Sequence, residues 1–178
     1  MLRNTRDRYG LVTKTLHWLI ALGIIGMIWL GWWMVGLSYY DRWYNLGLEL
    51  HRAIGMVLLG LALLFAGWKF VSPSPALQSE LKPWEKRGAK TAHTVLLLAM
   101  FAIPITGYVI STSAGQGFSI FGLFEFPALL TASEAVRDLA IAVHYYIAYG
   151  LIAVVVVHAG AALTHQFIDR HRTLQRML

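Results

Sequence analysis

His144-Tyr-Tyr-Ile-Ala-Tyr-Gly-Leu-Ile-Ala-Val-Val-Val-Val-His158 is an apolar run with an imidazole at each end. The fourteen steps between the histidines make just under four helical turns, so both project from nearly one side of a rod. The rise parts them by about 21 Å, most of the hydrocarbon thickness of a bilayer. Two ligand-type side chains on one face, one near each membrane surface, point to two cofactors stacked across the lipid. The second ligands must then come from the other histidines.

Composition supports a membrane setting. Of the 178 residues, 57% are hydrophobic and 13% charged, against about 25% charged in soluble domains. Seven Trp, eight Tyr and eight Phe suit interfacial aromatic belts. Without a cysteine, the chain has no disulfide, no thiolate-held cluster and no covalent haem attachment. The formal charge of +6 raises the question of nucleic acid, which its distribution answers below.

Working outward from the opening stretch, the pattern predicts an all-α integral membrane four-helix bundle, one domain over 1–178. The spans fall at about 14–36, 48–69, 91–112 and 139–166. The first run is longer than a signal-peptide core and no small-residue cleavage site follows, so it reads as a retained span, with Thr13 as its cap. Pro73-Ser-Pro75 breaks the chain between the second and third spans. Pro104 and Gly107 mark a kink or close helix contact in the third. Ser113-Ala-Gly-Gln-Gly117 reads as a turn. Phe118–Leu130, too short to span, reads as an interfacial or re-entrant segment. The basic tail from Asp169 is expected to follow the membrane surface.

Charge sets the orientation. Four spans place the N-terminus, the second loop and the C-terminus on one side, with all but Arg42, Arg52 and Arg137 of the basic residues. The positive-inside rule makes that side cytoplasmic. The basic excess is thus a topology signal and a contact for anionic membrane lipid, and nucleic-acid binding is set aside.

Depth then pairs the histidines. His51 and His144 fall toward the outer side, His17 and His158 toward the cytoplasmic side. A haem iron between two imidazoles is six-coordinate, with no open position, so such a centre passes electrons. The helices must also leave space, and Gly55, one turn after His51, and Ala21, one turn after His17, suit that. A lone intramembrane histidine is as readily an interhelical hydrogen-bond partner; four in two depth-matched pairs favour haem. His93 and His165 are left over. Each reads either as part of a quinone headgroup site, titrating near neutral pH, or as an interfacial histidine meeting lipid phosphate or water. His171 reads as an ordinary surface residue.

At these positions the chain resembles the bacterial cytochrome b561 family. The matching pieces are Arg8-Tyr-Gly10, Leu16-His17-Trp18, Glu49-Leu-His51-Arg-Ala-Ile-Gly55, His93 with Pro104-x-x-Gly107, Phe121-Gly-Leu123, and His144 spaced to His158-x-x-x-Ala162-x-x-His165. Ser38-Tyr-Tyr-Asp41 and Phe167-Ile-Asp169 look like the branch encoded beside a lipocalin-like isoprenoid-binding protein. The resemblance implies a multi-pass bacterial inner-membrane cytochrome. It would carry two haems b, one on His17 and His158 and one on His51 and His144. It also implies electron exchange with ubiquinone, with His93 and His165 at the quinone end, and in one branch superoxide as the outer donor.

The outer segments carry three basic against five acidic residues, which does not favour steering an anion, so a soluble periplasmic donor stays open beside superoxide. Two other readings remain: a haem-b anchor subunit of a larger redox complex, and a cofactor-free bundle in transport or assembly.

Overall fold

The computed structural model describes residues 1–178. Four helices carry the chain: α1 (Leu11–Val35), α2 (Tyr44–Val71), α3 (Pro83–Thr112) and α4 (Glu134–Phe167). All four are long and apolar enough to cross a membrane. In none is more than 11% of the apolar window buried within the protein. The exposed faces, with Leu22, Leu63, Leu98 and Val157 among them, are suited to lipid rather than water.

Local chemistry starts and stops these helices. Pro83 opens α3, where its missing N–H costs nothing, and the Glu85 carboxylate accepts from the Lys82 N–H at 2.7 Å. Ser133 caps α4 by accepting from the Val136 N–H, with Glu134 in the first turn. α2 ends at Val71, and its cap Ser72 is the residue before Pro73. α3 begins two turns ahead of the expected span, so Lys86, Arg87 and Lys90 lie on a helical extension of it. It runs unbroken through Pro104, where the Thr106 hydroxyl donates to the Ala102 and Ile103 carbonyls.

Thr13 is not the cap of α1. The helix starts at Leu11, and the segment before it folds back so that the Met1 and Leu2 carbonyls accept from Leu11 and Val12. Thr13 instead lies buried, donating to Asn4 Oδ1 and accepting from Trp68 Nε1.

The close helix neighbours are α1 with α2, α2 with α3, and α3 with α4. Gly23 permits the first approach: a Cβ there would come within 2.6 Å of Leu58 Cδ2. α4 lies along α3 and stands off from α1 and α2. This arrangement leaves the histidine-bearing faces opposed across a wider separation than that between neighbouring helices.

The two ends of the bundle differ. At one end the segment expected to be interfacial or re-entrant is a β-hairpin. Its strands β1 (Phe118–Ile120) and β2 (Phe124–Phe126) pair antiparallel, Phe118 opposite Phe126. Phe118 and Ile120 turn inward onto Ala53 of α2, with Met56 and Tyr108 packed around them. Alternation puts these two apolar residues on one face and pins the hairpin to the bundle. The turn at Gly115, φ +77°, precedes it.

At the other end the N-terminal segment, the Ser72–Lys82 connection and the C-terminal tail meet. The tail, expected at the membrane surface, packs onto this end of the bundle. It folds back, with a 3-10 turn at Leu174–Arg176. Lys14 Nζ donates to the Leu178 backbone oxygen, and Trp18 Nε1 to that of Met177. Arg176 donates to the Asp7 and Ala76 carbonyls. The tail's polar backbone finds protein partners there, which satisfies groups that lipid would leave unpaired.

Candidate functional site

The structure sets His51 opposite His144 at the hairpin end, their ring centroids 6.1 Å apart. His17 lies opposite His158 at the other end, at 6.4 Å. Each pair takes one ring from α4 and one from α2 or α1. The α4 members belong to one continuous helix, so the two levels are about 21 Å apart along it.

These separations have chemical meaning. Two metal–imidazole bonds of about 2 Å plus about 1.1 Å from each nitrogen to its ring centre put the centroids about 6.2 Å apart across one metal ion. Both pairs lie within a few tenths of an ångström of that. His93 also approaches His158, at 5.3 Å. That distance suits direct packing and is short for two rings on opposite sides of one ion.

Second contacts orient the rings. His144 Nδ1 lies 2.9 Å from the Ile103 carbonyl and 3.1 Å from Thr106 Oγ1. A carbonyl can only accept, so Nδ1 carries the hydrogen and Nε2 keeps its lone pair for a metal. Gly107 brings α3 against the same ring: a Cβ would stand 3.2 Å from His144 Cε1. Gly31 of α1 does likewise for His51, at 3.6 Å. A Cβ at Gly55 would meet no protein atom nearer than Met27 Cε, at an ordinary 3.8 Å, so the face one turn after His51 is open. His51 Nδ1 is buried without a protein hydrogen-bond partner. The residues fit haem: paired imidazoles from separate helices at two depths, the right spacing, and close glycine contacts on two of the rings.

With this geometry the comparisons with known proteins agree. A family model described as prokaryotic cytochrome b561 matches residues 8–178. The chain belongs to that family.

Members of the cytochrome b561 family are haem-b proteins of membrane electron transfer, and this chain is a multi-pass bacterial membrane protein. It is 42% identical to cytochrome b561 homolog 2 of Escherichia coli (strain K12) over 175 residues, 98% of this chain and 93% of that one. It is 28% identical to cytochrome b561 homolog 1 of the same organism, covering 97% of each. It is 27% identical to the probable superoxide oxidase CybB of Yersinia pestis, covering 96% of each.

In this cytochrome b561 the two leftover histidines part company. His93 packs on His158. His165 is half-buried at the end of α4, its Nδ1 2.7 Å from Asp169 Oδ2. Its ring stacks on His171 at 5.9 Å, so His171 is not an isolated surface residue. Sequence reasoning missed Thr106, the Ile103 carbonyl and Gly31. Pro104 carried the only available hint, because proline disturbs the carbonyls of its own helix.

Beside His51, Arg52 is half-buried, and its Nε has no hydrogen-bond partner. It lines a cleft of about 250 Å³ with Asn45, Glu49, Phe118 and Ser119.

Proposed function

We propose that this chain carries electrons across the membrane from an outer-side donor to ubiquinone, using two haems b. His51 and His144 would hold one, and His17 and His158 the other. The observation that carries this reading is the pair of imidazole separations, 6.1 and 6.4 Å, at two levels of one bundle. When bound, the haems supply one-electron chemistry at each level. The chain's own part is to present Nε2 of His144 by holding its Nδ1–H on Ile103, and to exclude water with apolar helix faces.

The termini face the cytoplasm on this reading, because twelve of the fifteen basic residues gather at that end. His93, packed on His158, and His165, coupled to Asp169, serve the quinone end. There the imidazole–carboxylate pair can pass protons to reduced quinone. On the outer side the cleft beside His51 admits a small donor, and Arg52 offers a cation to an anionic one. Superoxide fits that description, and one relative carries the name probable superoxide oxidase. Two superoxide ions, one quinone and two protons would give two dioxygen molecules and one quinol.

The test uses the isolated, folded protein. A reduced-minus-oxidised spectrum and a pyridine hemochrome assay should give two haems b per chain. Superoxide should then drive quinol formation, slowed in His93→Ala and His165→Ala with both haems retained. A colourless folded preparation rejects the haem assignment. Normal turnover in both variants rejects the quinone site. Haem reduction by superoxide without quinol formation, or quinol formation only inside a larger complex, rejects ubiquinone as the direct acceptor.

A further inference from the structure

The end of α4 and the tail bring together a second set of ligating groups, separate from the four paired histidines. One donor atom from each of His165, Asp169 and His171 lies within 4.8 Å of the others. We propose that these three residues form a binding site for a first-row divalent cation of the zinc type.

Three observations converge on it. First, the groups are already arranged as ligands. His165 Nδ1 and Asp169 Oδ2 stand 2.7 Å apart across one helical turn, and the His165 and His171 rings lie nearly parallel, at 18°. Second, His171 Nδ1 is buried and has no hydrogen-bond partner. A desolvated nitrogen without a partner is costly, and a metal bond offsets that cost.

Third, the backbone is turned to present His171. Arg170 and Arg172 on either side of it have φ of 59° and 23°, a region that long side chains disfavour. The turn is held from outside: the His171 N–H donates to the His165 carbonyl at 2.7 Å. Its own carbonyl accepts from Gln78 Nε2 and from the Thr173 hydroxyl, each at 3.0 Å.

The donor chemistry selects the ion. Two imidazoles and one carboxylate suit Zn²⁺, Co²⁺, Ni²⁺ or Cu²⁺, whereas Mg²⁺ and Ca²⁺ prefer oxygen cages. Three protein ligands leave a position for water. The arginines of the tail oppose a cation. Arg176 is drawn off toward the Asp7 and Ala76 carbonyls. Glu80 adds a carboxylate near His171. Its carboxyl is held below the usual range by its own backbone N–H and the Ser79 hydroxyl, with a smaller contribution from His171.

The site shares His165 and Asp169 with the proposed quinone end, but ion binding is read without reference to haem or quinone turnover. A bound ion would tie the tail to α4 and take His165 out of proton exchange.

The experiment titrates Zn²⁺ into tag-free, haem-loaded protein by calorimetry. One saturable site per chain is expected, with no response to Mg²⁺. Asp169→Asn and His171→Ala should each weaken Zn²⁺ at least tenfold while the reduced-minus-oxidised haem spectrum stays unchanged. Absence of a saturable site, or unchanged affinity in both variants, overturns the proposal. X-ray absorption at the zinc edge of the unmutated protein decides the matter even if a variant fails to fold. Two imidazoles and oxygen at about 2.0–2.1 Å support the site, and a shell without imidazole sinks it.

Discussion

The two imidazole pairs look alike by spacing and differ in how they are held. The His51/His144 pair is fixed by backbone. His144 is hydrogen-bonded to the Ile103 carbonyl, Gly107 presses on its ring, and Gly31 lies against His51. The His17/His158 pair is instead part of an aromatic cluster. Trp18 packs edge-on against His17 at 5.4 Å and His93 against His158 at 5.3 Å. The first pair is specified by geometry that tolerates little change. The second is specified by which of two neighbours stands at a metal-spanning distance. The first ring pair is held by backbone and the second by neighbouring rings.

The largest expected effect breaks the comparison outright. His144→Ala should remove about one of two haems, and His17→Ala the other, read by pyridine hemochrome. If His93→Ala rather than His17→Ala removes the second haem, His158 pairs with His93 and the spacing argument fails for that level.

Gly107→Val should come next. Its branched side chain enters a space where even a Cβ stands 3.2 Å from His144 Cε1. It should lower haem content toward one per chain, with the His17/His158 level spectrally intact. Gly107→Ala asks the ring to give by only a few tenths of an ångström and should retain both haems with a shifted band or potential. Full haem content in the valine variant would show that the contact does not constrain the ring.

Thr106→Val sharpens the contrast with a smaller effect. It removes the longer acceptor on His144 Nδ1 and leaves Ile103 in place. A ligand with a weaker hydrogen bond is less basic and favours ferric iron less. The potential of that haem alone should therefore rise, by about 20 mV for a bond of about 0.5 kcal/mol. A redox titration in which only the other haem moved would reverse the assignment of the two levels.

The smallest effect concerns the bundle end rather than the haems. Arg176→Ala removes two hydrogen bonds to the Asp7 and Ala76 carbonyls and a cation 5.8 Å from the Tyr9 ring. Limited proteolysis should cut the tail faster with haem content unchanged. An unaltered rate would mean that Lys14 and Trp18 hold the tail without it.

Much of this was legible in the residues, for reasons that can be named. Long apolar runs between charged loops give spans, because lipid forbids unpaired backbone. Helical rise turns sequence spacing into depth, so His51 could be matched to His144 and His17 to His158 before any contact was known. The hairpin at Phe118–Phe126 was not legible. An apolar run of that length satisfies strand, re-entrant and interfacial patterns alike, and only the facing Ala53 selects the strand. The fold-back of the tail was hidden too, because its partners, Asp7, Lys14, Trp18 and Gln78, lie far away in sequence.

By itself the sequence determined four spans, their alternation, and the depth of each histidine, since all three follow from hydropathy and a fixed rise per residue. Tertiary structure decided which imidazole faces which at a metal-spanning distance, that a carbonyl beside Pro104 orients His144, and that His171 turns back onto His165. Those outcomes depend on how helices rotate and where loops fold, which arise from packing between distant segments and leave no period in the chain.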